Sequence, residues 1–188
     1  MRQNLLQAGK YRVFADCYNS SLLAVDNTLK VLDELRLPDE TKRIAVLGDV
    51  LALGDLSEET HREIGRVCAR HRIDLLIGYG IAIRYAIEEA AAAGMQAHYY
   101  ADRAEMEAAV RAAAQPGDLI LFKASHGVNL GASMDKLFSA QTSTKAPLSD
   151  TNSSASKSME ILNSISSRTA PRSRPTSVTM LSSKFRLS

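Results

Sequence analysis

An α/β domain with a mostly parallel sheet of about five strands, covered by helices on both faces, is predicted by three features of residues 1–138. Short apolar runs recur five times, and several lack the polar alternation of a one-sided strand. Stretches with apolar residues at spacings of three and four lie between them. Polar and glycine-containing turns separate the two kinds of segment. Strands buried on both faces that alternate with helices are the pattern of a parallel sheet.

The elements follow in order. Residues 11–16 (Tyr-Arg-Val-Phe-Ala-Asp) form the first predicted strand, which ends in a polar turn. Leu22, Val25, Leu29, Leu32 and Leu35 share one helical face, with Asp26, Lys30 and Asp33 off it. Leu37-Pro38-Asp39 stops that helix, because proline cannot extend it and restricts the residue before it. Arg43 to Leu47 is a buried strand running into Gly48-Asp49. Ser57 reads as an N-cap, with Glu58 and Glu59 favoured in the first turn of a helix that reaches about Arg70. Ile73 to Ile77 forms a third strand before Gly78-Tyr79-Gly80, and an Ala-rich helix runs from about Ile81 to a stop at Gly94. Gln96 to Tyr100 alternates as an edge strand. Asp102-x-x-Glu105 resembles a capping box ahead of a helix that reaches Ala114. Leu119 to Phe122 is the fifth strand, and a short helix lies near 133–138.

The whole chain has 188 residues, 45% of them hydrophobic and 23% charged, with a net charge of +2. That average conceals a division. Residues 1–138 hold sixteen basic and nineteen acidic side chains, whereas residues 139–188 hold seven and two. The second segment also contains fifteen Ser and six Thr, and no Gly. The expected organisation is therefore a domain over 1–138 and a basic, Ser/Thr-rich tail over 139–188 that its composition predicts to be disordered. A body of 138 residues can bury roughly two-thirds of its unfolded surface. The body's net charge is −3, so the mildly basic character of the whole chain is no sign of nucleic-acid binding by the folded part, and no nucleic-acid partner is expected. No apolar run of about 18 residues offers a membrane span. Two cysteines fit a reducing compartment better than a disulfide framework, and Met1 to Gln7 does not read as a secretory leader.

Ligands of open parallel sheets gather at the carboxyl ends of the strands. The residues there are Asp16-Cys17-Tyr18-Asn19, Gly48-Asp49, Gly78-Tyr79-Gly80 and Lys123-Ala124-Ser125-His126-Gly127. Asp16 is suited to accept hydrogen bonds from ribose hydroxyls, and Asn19 to face a base or a phosphate. The alternative is that either one caps the following helix. A single Asp49 is a poor Mg²⁺ site and reads better as part of a turn. The Gly78 turn lacks the third glycine of a dinucleotide fingerprint. Lys123, Ser125 and His126 bring a cation, a hydroxyl and an imidazole to one strand end, which suits a carboxylate or a phosphate, with a solvated loop as the alternative. Cys17 has no histidine near it in sequence and reads as a small buried thiol, and Cys68 as helix core. His61, His71 and His98 lack metal-ligand spacing.

Three segments occur in a telling order: Asp16-Cys17-Tyr18-Asn19, then Val46-Leu47-Gly48-Asp49-Val50-Leu51-Ala52-Leu53-Gly54 with Ser57 and His61, then Lys123-Ala124-Ser125-His126-Gly127. Over about residues 10–138 they resemble the C-terminal domain of the Mur ligases, in particular the branch that adds D-alanyl-D-alanine. The resemblance implies a Rossmann-like domain, the third of three in a cytoplasmic enzyme of peptidoglycan synthesis. It implies ATP and Mg²⁺ as cofactors, UDP-muramoyl-tripeptide as the carboxylate to be phosphorylated, and the dipeptide amine as the attacking group. By motif, Asp16 would meet the ribose and Asn19 the adenine side of ATP. Lys123, Ser125 and His126 would lie near the dipeptide carboxylate. The resemblance assigns this domain no catalytic residue and no metal ligand.

Departures from the family pattern are visible. Ser20-Ser21-Leu22 replaces Ala-Asn-Pro, Ala52 stands where Glu is usual, and His126 replaces Arg. The phosphate loop of the central ligase domain, a Gly-x-x-Gly-Lys-Thr/Ser sequence, is absent, since Gly9-Lys10 is followed by Tyr11. The expectation is therefore a ligase domain that is inactive alone, with the remaining domains upstream or on a partner chain. Two other readings compete. A phospho-accepting receiver domain would share the acid after the first strand and the Lys after the fifth, but Gly78-Tyr79 stands where its phosphorylated Asp should be. A non-catalytic small-molecule-binding module would share the fold alone. The abrupt change at Ser139 coincides with the expected domain end and predicts an unrelated extension.

Overall fold

The computed structural model describes residues 4–35, 37 and 39–138. The tail at 139–188, with its expected disorder, lies outside the described residues.

The described chain forms a six-stranded sheet with five α-helices. The strands are β1 (Asn4–Ala8), β2 (Tyr11–Asp16), β3 (Arg43–Gly48), β4 (Leu75–Tyr79), β5 (Ala97–Tyr100) and β6 (Leu119–Lys123). The helices are α1 (Leu22–Glu34), α2 (Ser57–Ala69), α3 (Ile83–Ala92), α4 (Arg103–Ala113) and α5 (Leu130–Phe138). The strand order is β1-β2-β6-β3-β4-β5. Every pairing is parallel except β1 with β2, where Ala8 faces Tyr11 across Gly9-Lys10. The α/β class with a mostly parallel sheet is thus as predicted, with one strand more than the sequence suggested.

Alternation along the buried strands divides the core into two layers. Val13, Ala15, Ile44, Val46, Ile77, Ile120 and Phe122 join Met106 and Val110 of α4 and Met134 and Phe138 of α5. Phe14, Ala45, Leu47, Leu76 and Leu121 point to the other face and are equally buried. Helices α1, α2 and α3 cover that face, with Gly65 of α2 against the Ala86 carbonyl of α3 and Gly78 against Ile83 and Ile87. Two-sided burial explains why β3 and β6 read as continuous apolar runs.

Several boundaries differ from the sequence reading. Strand β4 starts at Leu75, because the Asp74 carboxylate turns to accept the Arg43 N–H at 2.7 Å. Ser57 is not an N-cap: a 3-10 turn at Gly54–Leu56 runs directly into α2, and Ser57 has a helical φ of −60°. The capping residue found in α1 is Ser21, whose hydroxyl accepts the Ala24 N–H at 3.1 Å, so neither Asp16 nor Asn19 caps that helix. Asp102 does cap α4, through the Glu105 N–H at 3.0 Å. Helix α5 begins at Leu130, after Asn129 adopts a left-handed φ of +52°.

Candidate functional site at the carboxyl ends of the strands

The register of β2 on β6 sets Asp16 directly beside Lys123. Both are buried, and the Lys123 ammonium donates to Asp16 Oδ2 at 2.7 Å and to the Asn19 carbonyl at 3.0 Å. The Thr28 hydroxyl of α1 lies 2.9 Å from the same Oδ2 and 2.8 Å from the Ala24 carbonyl. A buried charge needs a partner and hydrogen bonds to be tolerated, and this pair has both. Lys123 is only 1% exposed, so its ammonium is turned into the protein and holds the β2–α1 loop by its backbone. Tyr18 and Asn19, on that loop, are exposed.

Asp49, at the end of β3, is also spoken for. Its carboxylate accepts three N–H groups at the start of α3: Ile81 at 2.8 Å, Ala82 at 3.0 Å and Ile83 at 2.8 Å. Gly80 is required beside it. At φ +140° a Cβ would sit 2.4 Å from Asp49 Oδ1. The sequence placed a turn here; the structure shows a helix terminus capped from a neighbouring strand. His61 works in the same layer. The Val50 N–H donates to Nε2 at 3.1 Å, so the ring proton sits on Nδ1, 2.7 Å from the Ser57 carbonyl.

The β6–α5 loop brings Ser125 and His126 to the same end. Ser125 Oγ accepts the Leu51 N–H at 3.0 Å, and the Ser125 N–H donates to the Asp49 carbonyl at 3.2 Å. His126 is exposed and stands edge-on to Tyr18, with ring centroids 6.0 Å apart. A cavity of about 230 Å³ opens beside it, lined by Cys17, His126, Asn129, Gly131, Met134 and Asp135. Burial, reinforced by the Asp16 charge, pushes the Cys17 thiol up to about 11, and Sγ lies 3.3 Å from the Phe122 carbonyl. It is a protonated wall of the cavity at neutral pH, not a nucleophile.

The structure thus brings all five predicted residues to one end of the sheet. Asp16 and Lys123 meet each other, Asn19 is linked to them through its carbonyl, Ser125 is tied to the β3 loop, and His126 faces the rim. Sequence reasoning missed Arg103, whose guanidinium fastens the far side of the β6–α5 loop. It carried no motif signal. Among the described residues no three His, Cys, Asp or Glu side chains gather as metal ligands. Both strand-end acids are consumed by internal contacts, so these residues do not fit a Mg²⁺ site.

Comparison with known proteins gives a consistent answer. Residues 1–126 match the family described as Mur ligase, glutamate ligase domain. The UDP-N-acetylmuramoyl-tripeptide–D-alanyl-D-alanine ligase of Bacillus subtilis is 34% identical over 125 residues, 63% of this chain and 26% of that protein. The Synechocystis ligase of the same name is 32% identical over 122 residues, 65% of this chain and 26% of that protein. Among solved structures, MurF from Acinetobacter baumannii superposes with a TM-score of 0.65 at 24% identity, over 72% of this chain and 30% of that one. MurF from Thermotoga maritima in complex with ADP gives 0.58 at 22% identity, over 77% of this chain and 32% of that one. The chain therefore spans about a quarter of the length of the curated relatives it matches. The profile match, the order of its three strand-end motifs and the sheet that carries them agree: this chain belongs to the Mur ligase family and carries its C-terminal, glutamate ligase domain.

Proposed function

We propose that this chain is the nucleotide- and dipeptide-side domain of a cytoplasmic ligase that adds D-alanyl-D-alanine to a UDP-muramoyl-tripeptide, and that it does not ligate alone. The observation that carries the proposal is the character of the strand-end face. The large hydrophobic side chains exposed among the described residues are Tyr18, Leu23, Leu51, Leu56, Ile81 and Tyr99. All six belong to the carboxyl ends of the strands or to the starts of the helices that follow. Apolar groups collected on one face, around loops that carry polar ligand-binding side chains, suit a surface that closes over a bound nucleotide and a neighbouring domain.

In this reading the Tyr18–Asn19 loop takes the adenosine end of ATP. Its backbone is set by Lys123 and its base by Asp16. Ser125 and His126 take the dipeptide carboxylate. The Ser125 oxygen accepts the Leu51 N–H with one lone pair and keeps a hydroxyl proton that can donate, and the His126 imidazole adds a second donor. ATP supplies the phosphoryl group that activates the tripeptide carboxylate. The domain's part is to bind and orient the nucleotide and the amine, and the phosphate loop and Mg²⁺ ligands come from the remaining domains, upstream or on a partner chain. Family membership displaces the receiver-like alternative.

Phosphate release from ATP in the presence of UDP-muramoyl-tripeptide and D-alanyl-D-alanine tests the proposal. The purified chain is expected to show none, and to support dipeptide-dependent release when the two missing domains of a related ligase are supplied. Robust turnover by the chain alone overturns the claim of inactivity. No binding of either ADP or D-alanyl-D-alanine in calorimetric titration overturns the site assignment.

A further inference from the structure

Arg103 opens helix α4, where a cation faces an unfavourable helix dipole, so its placement needs another reason. Its guanidinium supplies one. Nη1 donates to the Asn129 carbonyl at 3.0 Å and lies 2.7 Å from Ser133 Oγ, and Nη2 donates to the Val128 carbonyl at 2.7 Å. The same group lies over the Tyr79 ring, 4.8 Å from its centroid. One side chain thus joins the end of β4, the start of α4, the β6–α5 loop and the first turn of α5. Its acceptors are Asn129 itself, the residue in left-handed conformation that turns the loop into the helix, its predecessor Val128, and Ser133 one turn on. A left-handed non-glycine residue persists where its surroundings fix it.

The two halves of the loop are held from opposite sides. Ser125 is fixed by Leu51 and Asp49 of the β3 side, and Val128 to Ser133 are fixed by Arg103. Between them sit His126 and the cavity that it, Asn129 and Gly131 line. Lysine could not do the same work, because a single ammonium lacks the planar fork that spans two carbonyls and a hydroxyl while stacked on a ring.

We infer that Arg103 is the positioning residue of the dipeptide-side loop, fixing where His126 and the start of α5 present themselves to the substrate carboxylate. The inference rests on the dipeptide-side reading of that loop given above. Two measurements on the whole chain separate them. Amide hydrogen exchange reads the loop directly. In Arg103→Lys and Arg103→Met, residues 126–132 are expected to exchange about tenfold faster or more while β3 and β6 keep their protection, a selective loss of local order. Ser133→Ala, which removes one of the three acceptors together with the hydroxyl's hydrogen bond to Glu107, is expected to show a smaller change in the same direction. Unaltered exchange at 126–132, or an equal increase across the sheet, overturns the inference.

Calorimetric titration then reads the consequence. Arg103→Lys is expected to weaken D-alanyl-D-alanine about tenfold, since small misplacements of a positioning loop are costly. ADP affinity is expected to stay within twofold, roughly the size of ordinary surface effects. A variant that loses both ligands equally is a folding defect and overturns the positioning role. A wild-type chain that binds no dipeptide overturns the dipeptide-side reading and the substrate half of this inference. In that outcome the exchange data alone decide whether Arg103 holds the loop.

Discussion

The strand-end face has an inner layer and an outer lip, and the two use the same kinds of residue for opposite purposes. In the inner layer, Asp16, Lys123, Asp49 and His61 are buried, and their polar atoms are directed at one another or at backbone groups. On the lip, Tyr18, Asn19 and His126 are exposed two or three residues further along the same loops. A charged residue at a strand end is therefore not necessarily a ligand-binding one. The polar residue at each of these strand ends is tied into the fold, and the exposed side chains lie two or three residues beyond it.

The largest expected effect comes from unbalancing the inner layer. Lys123→Met leaves the Asp16 carboxylate buried beside Thr28 without its cation, and is expected to cost about 3–5 kcal/mol in urea unfolding. Asp16→Asn combined with Lys123→Met removes both charges and is expected to recover part of that loss. A cost below about 1 kcal/mol for the single variant would place the pair with ordinary surface ion pairs and dissolve the distinction between layer and lip. Asp49→Ala comes next. It orphans three N–H groups at the start of α3 and is expected to cost about 1–3 kcal/mol. Asp49→Asn keeps one acceptor oxygen and is expected to lose less.

A smaller effect sharpens the comparison through the two thiols. Burial pushes Cys68 up to about 12, while Cys17, which lines the cavity on the lip side, is pushed up to about 11. Both folded values lie above the ordinary 9.0. The stability these thiols contribute is therefore complete below pH 9 and is lost as pH rises through the folded values. Native protein at pH 8 is expected to react slowly with a thiol reagent at both positions and fast at both in denaturant. As pH is raised, Cys17 is expected to react first. Rapid reaction of Cys17 at pH 8 would mean that the loop opens and that the contact of Sγ with the Phe122 carbonyl does not hold the thiol in place.

Much of this was legible in the sequence, and the reasons differ by element. Strands β2, β3 and β6 and helices α1, α2 and α4 announce themselves because burial imposes a period of two-sided runs or of three and four residues. Strand β1 does not, because Asn4-Leu5-Leu6-Gln7-Ala8 lacks alternation and exists through its register on β2. Ser57 resembles a cap by residue type, but capping needs an extended backbone, and the preceding 3-10 turn denies it. The site shows the same limit. Each strand-end residue could be picked out locally, whereas the pairing of Asp16 with Lys123, 107 positions away, follows only from β6 lying next to β2. Arg103 was invisible for that reason: its acceptors are 25 to 30 residues distant and most are backbone carbonyls.

The smallest expected change in stability is on the lip, and it is the most informative about function. Asn19 is exposed, and it is the Asn19 backbone carbonyl, not its side chain, that accepts from Lys123. Asn19→Ala preserves that carbonyl, so unfolding free energy is expected to change by no more than about 0.5 kcal/mol, as for a surface position away from caps and cores. Under the proposed function the same substitution is expected to weaken ADP by about tenfold, the scale of one lost hydrogen bond to a ligand. It should leave D-alanyl-D-alanine binding as it was, because Ser125 and His126 belong to a different loop. An Asn19→Ala chain as destabilised as Lys123→Met would mean that the lip is part of the scaffold. An unaltered ADP affinity would instead leave the loop where it is and move the nucleotide elsewhere on the face.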